Sequence, residues 1–329
     1  MNWEGIVGHE QPLTMLERAL RRGRVSHAYA FLGRPQVGKA TVARRFMQAL
    51  FCDDRSAAWP CLGCRACRRI ERGSHPDVHW IEPEGETIGI EQVRTLQEAL
   101  FLKPFEAAMT AAVVDGADRM TTAAQNSLLK VLEEPPGRAV IILIAANPAA
   151  LVPTIWSRCQ VLHFQPLPHA RAAAALESRG VDPARARLLA ALMEGRLGAA
   201  LSALDKDVVA QRDRVAAWVD ALADPQTGLR AALQIAEFLE GERETVEEWL
   251  RLFLYWLRDL LLVQEGVEQA LANQDAEGRL RERAATFSVR ALADAMGAVD
   301  DARRRLQANA NFRLTLDLML AKVQRSLAS

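Results

Sequence analysis

Ala28-Tyr29-Ala30-Phe31-Leu32 runs straight into Gly33-Arg34-Pro35-Gln36-Val37-Gly38-Lys39, followed by Ala40-Thr41. Five apolar residues closed by a Gly-rich turn read as a buried strand, and Lys39 to Leu50 reads as the helix after it. The turn fits G-x-x-x-x-G-K, the loop whose backbone N–H groups cradle phosphates while its lysine reaches the β/γ-phosphates. The motif then asks for Ser or Thr, whose hydroxyl binds Mg²⁺, and this chain has Ala40. Thr41 comes one place late, because one residue of helix turns a side chain by about 100°. Gly33, Gly38, Lys39 and Thr41 are therefore candidate nucleotide-binding residues of a loop that lacks a metal ligand.

Working outward, Val78-His79-Trp80-Ile81 is a second strand, and Ile90 to Phe101 carries apolar residues at helical spacing (Ile90, Val93, Leu96, Leu100, Phe101). Ala111 to Asp115, Val140 to Ala145 and Val161 to Phe164 read as three more strands, with a helix over Thr121 to Glu133. Strands alternating with helices imply an α/β domain with a parallel five-stranded sheet covered on both faces. After Gln165-Pro166-Leu167-Pro168 no strand follows, and Ala, Leu, Arg and Glu dominate. A small helical unit runs to about Leu204, and a longer all-helical region follows with breaks at Asp224-Pro225, Gly241 and Gly266. The expected domains are 1–165, 166–206 and 207–329. Glu247 to Val263 places Leu250, Phe253, Leu254, Leu257, Leu260 and Leu261 on one broad face, the pattern of a helix packed in its own bundle.

Composition narrows the partners. The 329 residues carry 41 basic and 41 acidic side chains, so a chain built only to hold nucleic acid is disfavoured. No run of about 18 apolar residues suggests a membrane span, and Met1-Asn2-Trp3-Glu4-Gly5 lacks the regions of a signal peptide, so a cytoplasmic protein is expected.

Four of the five cysteines cluster as Cys52, Cys61, Cys64 and Cys67, a C-x8-C-x2-C-x2-C module inserted between the loop helix and the next strand. In a reducing compartment such a set points to metal before disulfides, and structural zinc takes four thiolates tetrahedrally. Arg65, Arg68 and Arg69 would offset the thiolate charge, and with Arg72 they give the module a basic edge. An iron–sulfur cluster is the rival ligand, since C-x2-C-x2-C also occurs in ferredoxins. Cys159 stands apart and reads as a small buried residue. Arg21-Arg22-Gly23-Arg24 reads as a helix end with its glycine cap.

A hydrolytic P-loop site also needs an Asp for Mg²⁺ and an adjacent group to activate water. Val113-Val114-Asp115-Gly116 supplies the Asp but not the activator, and Asp115 taken alone could equally cap the next turn. Two further stretches are more specific: Asp118-Arg119-Met120 through Asn126-Ser127-Leu128-Leu129-Lys130-Val131-Leu132-Glu133-Glu134-Pro135-Pro136, and Pro153-Thr154-Ile155-Trp156-Ser157-Arg158-Cys159. With Gly5-Ile6-Val7-Gly8-His9, Ser26-His27-Ala28-Tyr29 and the four-cysteine insertion, the chain resembles bacterial clamp-loader subunits of the AAA+ family, strongly over roughly residues 5–165 and in layout beyond.

That resemblance implies an AAA+ domain with a zinc module, a small helical lid and an all-helical collar. Asn309-Ala310-Asn311-Phe312-Arg313-Leu314 is similar to the last collar helix of the family. The family contains motor subunits that hydrolyse ATP and a member that usually does not. Here the activating Glu is Gly116, the γ-phosphate-sensing polar residue falls at Ala145 or Ala146, and the sensing Arg falls at Gly198, with Arg196 two residues early on another helix face. Together with Ala40, these departures imply the non-hydrolysing member, with ATP or ADP held at most in a degenerate site including Asp115. Ser157-Arg158-Cys159 is intact, and the resemblance makes Arg158 an arginine finger reaching the neighbour's γ-phosphate. Without the resemblance, the ordinary reading is an arginine paired with a local carboxylate at the sheet edge. The implied partners are ATPase motor subunits and a delta subunit in a hetero-pentamer of the polymerase holoenzyme, with the sliding clamp and primed DNA. The alternatives are an autonomous P-loop ATPase or motor subunit, favoured by Lys39 and Asp115, and a zinc-dependent nucleic-acid binder.

Overall fold

The computed structural model describes residues 1–55, 59–308 and 310–328, with Gln269 by its backbone alone. Asn309 of the expected collar segment and residues 56–58 of the cysteine module lie outside the described residues. The chain divides into two compact units, Met1–Leu167 with Arg196–Gly198, and Pro168–Gly195 with Ala199–Ser329.

The first unit is built on β1 (Ala28–Leu32), β2 (Val78–Ile81), β3 (Thr110–Asp115), β4 (Ala139–Ala145) and β5 (Gln160–His163), all parallel in the order β2-β3-β4-β1-β5. Burial on both faces explains why β1, β3 and β4 read as apolar runs rather than alternating ones. Their side chains still alternate between two cores. Tyr29, Phe31, Ile142 and Ile144 meet Leu16, Phe46 and Met47 from α1 (Glu10–Arg21) and α2 (Lys39–Phe51). Ala28, Leu32, Ile141 and Leu143 meet a second layer whose helices follow α3 (Arg65–Glu71), namely α4 (Ile90–Phe101) and α5 (Thr122–Glu133), through Val93, Leu96, Leu128 and Val131. A short α6 (Pro153–Trp156) leads into β5.

The strand ends depart from the sequence reading by a residue. The last strand is Gln160–His163 rather than Val161 to Phe164. Phe164 N–H still donates to Leu32 O at 2.6 Å, but its ring turns onto Phe31 and His9, each 4.9 Å away between centroids. Gly23, at φ +62°, closes α1 as expected, with its N–H on Leu20 O and that of Arg24 on Ala19 O.

The second unit is helical: α7 (His169–Glu177), α8 (Pro183–Leu192), α9 (Leu197–Ser202, whose first two residues belong to the first unit), α10 (Val208–Leu222), α11 (Gly228–Gly241), α12 (Val246–Gln264), α13 (Glu277–Ala284), α14 (Val289–Gln307) and α15 (Phe312–Leu327). The buried face of α12 is wider than the sequence pattern. Trp249, Leu252 and Trp256 are buried with the expected Leu250, Phe253, Leu257 and Leu260, whereas Leu254 and Leu261 are half-buried. The cause is that α12 packs against α10, α13 and α14 at once, so no single stripe describes it. Among the described residues no helix is long and apolar enough to cross a membrane.

One polar group lies at the centre of that helix. Asp259 is fully buried, and its Oδ2 accepts from Ala272 N–H (2.9 Å), Asn273 N–H (2.8 Å) and Asn273 Nδ2 (2.8 Å). Burial raises its carboxyl above the ordinary range, with the Asn273 donors opposing. The folded chain thus holds this proton more tightly than the unfolded chain does. Its contribution to stability falls as pH rises from the ordinary carboxylate value of about 4 toward the folded value. Asp259→Asn keeps an acceptor and cannot ionise. Urea unfolding across pH should show this variant gaining on the parent through that window, and a pH-independent difference would contradict the assignment.

Candidate functional site

The Gly-rich turn leaves the carboxyl end of β1 and is pinned from three sides. Gly33 sits at φ +154°, where a Cβ would lie 2.1 Å from Phe164 O, so only glycine passes. His9 Nε2 lies 2.8 Å from Val37 O and supplies the proton of that bond. Gly198 N–H donates to Gln36 O at 3.0 Å, and a Cβ at Gly198 would stand 2.6 Å from that oxygen. Gly38, at φ +108°, opens α2.

Lys39 is buried, and its Nζ donates to Gly33 O and, at 2.8 Å, to Arg34 O. Burial lowers its pKa, while the charges of Asp115 and Asp118 work the other way. In this conformation the loop's own carbonyls hold the ammonium that a β/γ-phosphate would take. Thr41 is exposed on α2 and Ala40 is half-buried, so no hydroxyl stands at the metal position.

Asp115 ends β3, one strand from β1 across β4. Burial raises its carboxyl, Glu82 adds to that, and Lys39 pulls it down. Its carboxylate accepts no hydrogen bond among the described residues, so the turn-capping alternative does not hold. Gly116 follows at φ +85°, with the position of a Cβ 3.1 Å from Pro83 Cγ. Backbone and neighbour therefore both oppose the glutamate that would activate water. Ala145 is buried at the end of β4, where its carbonyl accepts from Gly33 N–H at 3.3 Å. Asn147, the next polar residue, turns its Oδ1 to Ala149 N–H. Arg196 precedes α9 instead of lying on a helix with Gly198, which corrects the face argument made from spacing. Asp118 and Glu82 also belong to this charge field, which spacing in sequence does not reveal.

Arg158 lies just beyond α6, next to the Ser157 C-cap. Its Nη2 donates to Glu133 Oε1 at 2.6 Å, and Nη1 donates to Thr154 O at 2.9 Å and Ser157 Oγ at 3.2 Å. The local carboxylate partner expected of an isolated arginine is thus present, at the end of α5. The pair is open to solvent, with side chains 33% and 51% exposed.

The thiol sulfurs of Cys52, Cys61, Cys64 and Cys67 all lie within 4.8 Å of one another. Tetrahedral Zn–S bonds of about 2.3 Å put sulfurs about 3.8 Å apart, so a small contraction closes the set. The amides already point inward: Cys61 N–H donates to Cys52 Sγ (3.4 Å), Cys64 N–H to Cys61 Sγ (3.2 Å) and Cys67 N–H to Cys64 Sγ (3.4 Å). Against burial, the Cys64 and Gly63 amides hold the Cys61 thiol down to about 7, whereas burial pushes Cys52 and Cys67 up. These four residues could hold a structural metal such as zinc. Arg69 binds Glu106 at 2.6 Å and Arg65 approaches it at 3.9 Å, so they balance a carboxylate rather than serve only the thiolates. That also weakens the basic edge. Cys159 is half-buried rather than buried, its thiol pushed up to about 12 by the burial it has.

A parallel sheet in this order, a P-loop at the end of β1, an Asp at the end of β3 and a Ser-Arg-Cys turn before β5 define an AAA+ domain of the clamp-loader kind. Residues 8–168 match the family described as "DNA polymerase III, delta subunit", and residues 215–325 match "DNA polymerase III, delta subunit, C terminal". The DNA polymerase III subunit delta' of Bacillus subtilis (strain 168) is 32% identical over 313 residues, covering 95% of each chain. The subunit tau of the same organism is 25% identical over 98% of this chain and 61% of its own length. A gamma subunit-related structure from Thermotoga maritima covers 95% of this chain and 99% of its own at 19% identity and a TM-score of 0.43. The chain belongs to the delta-prime family of DNA polymerase III clamp-loader subunits.

Because the backbone at Gly116 is left-handed, Gly116→Glu should cost about 1–3 kcal/mol of stability and confer no ATP turnover. Denaturant unfolding and a phosphate-release assay check both parts. A stable, hydrolysing variant would show that the lost side chain alone was limiting.

Proposed function

We propose that this chain serves a clamp loader without turning over ATP itself, and that Arg158 acts as a finger on nucleotide bound by a neighbouring subunit. The supporting observation is one of contrast. Ser157-Arg158-Cys159 is complete and its guanidinium reaches solvent, while Ala40, Gly116, Ala145, Ala146 and Gly198 stand where a working site needs polar groups. A planar, permanently charged guanidinium suits the charge of a phosphoryl transition state. In this reading the partners are ATPase motor subunits and a delta subunit in a hetero-pentamer that places the sliding clamp on primed DNA in the cytoplasm. Any nucleotide held by Gly33, Gly38, Lys39, Thr41 and Asp115 is not hydrolysed. Residues 166–206 act as the lid and 207–329 as the collar.

The competing reading, an autonomous ATPase, rests on Lys39 and Asp115, but Ala40 offers no hydroxyl to Mg²⁺ and Gly116 no group to activate water. Arg158→Ala in the reconstituted loader should abolish the share of DNA-stimulated turnover at the neighbouring site, where a finger contributes about 10³-fold or more. Unchanged ATPase and clamp loading would rule the finger out.

We further propose that the four cysteines hold structural zinc. Elemental analysis should give one zinc and no iron per chain, and chelation or Cys67→Ser should lower the melting temperature. Iron in place of zinc, or a metal-free chain of equal stability, would overturn this assignment.

A further inference from the structure

Arg158 is held by both of the helix ends around it. Glu133 is the last residue of α5, Thr154 and Ser157 belong to α6 and its cap, and all three accept hydrogen bonds from the one guanidinium. Ser157 Oγ also donates to Thr154 O at 3.0 Å, closing a small ring of bonds beneath the arginine. Three of the five guanidinium N–H donors are therefore engaged, and Nε–H with one Nη2–H finds no acceptor among the described residues.

Glu133 has little reason to be where it is for the fold's sake. A carboxylate in the last turn of a helix faces the negative end of the helix dipole, where a cation is the favoured charge. Its one ion-pair partner among the described residues is Arg158, and an exposed pair of this kind adds little to stability. What the pair does fix is direction. A long, rotamer-rich side chain is held in one orientation, with two donors left over for an acceptor outside the chain.

We propose that Glu133 is a positioning residue for Arg158, presenting its two remaining N–H donors to the γ-phosphate of a nucleoside triphosphate on the adjacent subunit. This rests on the finger reading given above. Glu133 touches no reacting atom and acts through the arginine. Ordering the side chain before it meets the anion removes a cost otherwise met during the reaction, so its loss slows turnover without weakening nucleotide binding.

The test uses the reconstituted loader carrying the parent chain, Glu133→Ala, Glu133→Gln, Arg158→Ala, or Glu133→Ala with Arg158→Ala, assayed with ATP and primed DNA. Glu133→Ala is expected to lower kcat at the neighbouring site about tenfold with KM for ATP unchanged, the scale set by immobilising one flexible side chain. Glu133→Gln keeps the Oε1 acceptor and should stay within about twofold of the parent, and the double variant should be no slower than Arg158→Ala alone. If Arg158→Ala is silent, the finger reading fails and this inference with it. If Arg158→Ala is slow, the positioning role alone is overturned by any one of four results: Glu133→Ala as fast as the parent or faster, a change confined to KM, a Gln variant as slow as Ala, or a further loss in the double variant. Thermal melts of the single variants check that the chain remains folded.

Discussion

The close approach of backbone to backbone at Gly33 is the constraint from which the rest of the first unit follows. Gly33 takes its N–H to the end of β4, while Phe164 O fills the space its Cβ would need and Phe164 N–H binds Leu32. The ends of β1, β4 and β5 are thereby locked in register. The same lock sets where the P-loop turns, and at its other end β5 pairs with β1 from Gln160 opposite Tyr29, two residues after Arg158. One scaffold therefore positions both a phosphate loop and an outward-facing arginine.

The two ends of that scaffold have different chemistry. At the loop, the missing groups are written into the backbone as well as the side chains. Gly116 occupies a left-handed conformation against Pro83, and Gly198 lies so close to Gln36 O that no side chain fits there. Lys39 folds onto the loop it would serve. At the arginine, a full set of acceptors orients the guanidinium while leaving donors to spare. In the function proposed above, such a subunit contributes charge to another chain's nucleotide and does not process its own.

Much of the fold was legible because parallel strands buried on two faces leave unmistakable apolar runs, and Gly33, Gly38 and Thr121 punctuate them. The cysteine cluster was legible from spacing, and the inward-pointing amides agree with it. What escaped was set by tertiary neighbours. Phe164 has the apolar character of a strand residue but is drawn aside by Phe31 and His9, and the buried face of α12 is wider than its spacing predicts because α10, α13 and α14 all pack on it. Glu133 has no evident role within its motif, since nothing in sequence says that the end of α5 meets the end of α6. Asp118 and Glu82 were overlooked because their closeness to Lys39 or Asp115 depends on how the strand ends converge.

In the proposed function the chain's own nucleotide site does no chemistry. ATP hydrolysis by the purified chain alone, followed as phosphate release with and without primed DNA, tests it most directly. The expected rate is no higher than that of buffer, with no difference between the parent and Lys39→Ala. Steady turnover by the isolated chain that disappears in Lys39→Ala would contradict it.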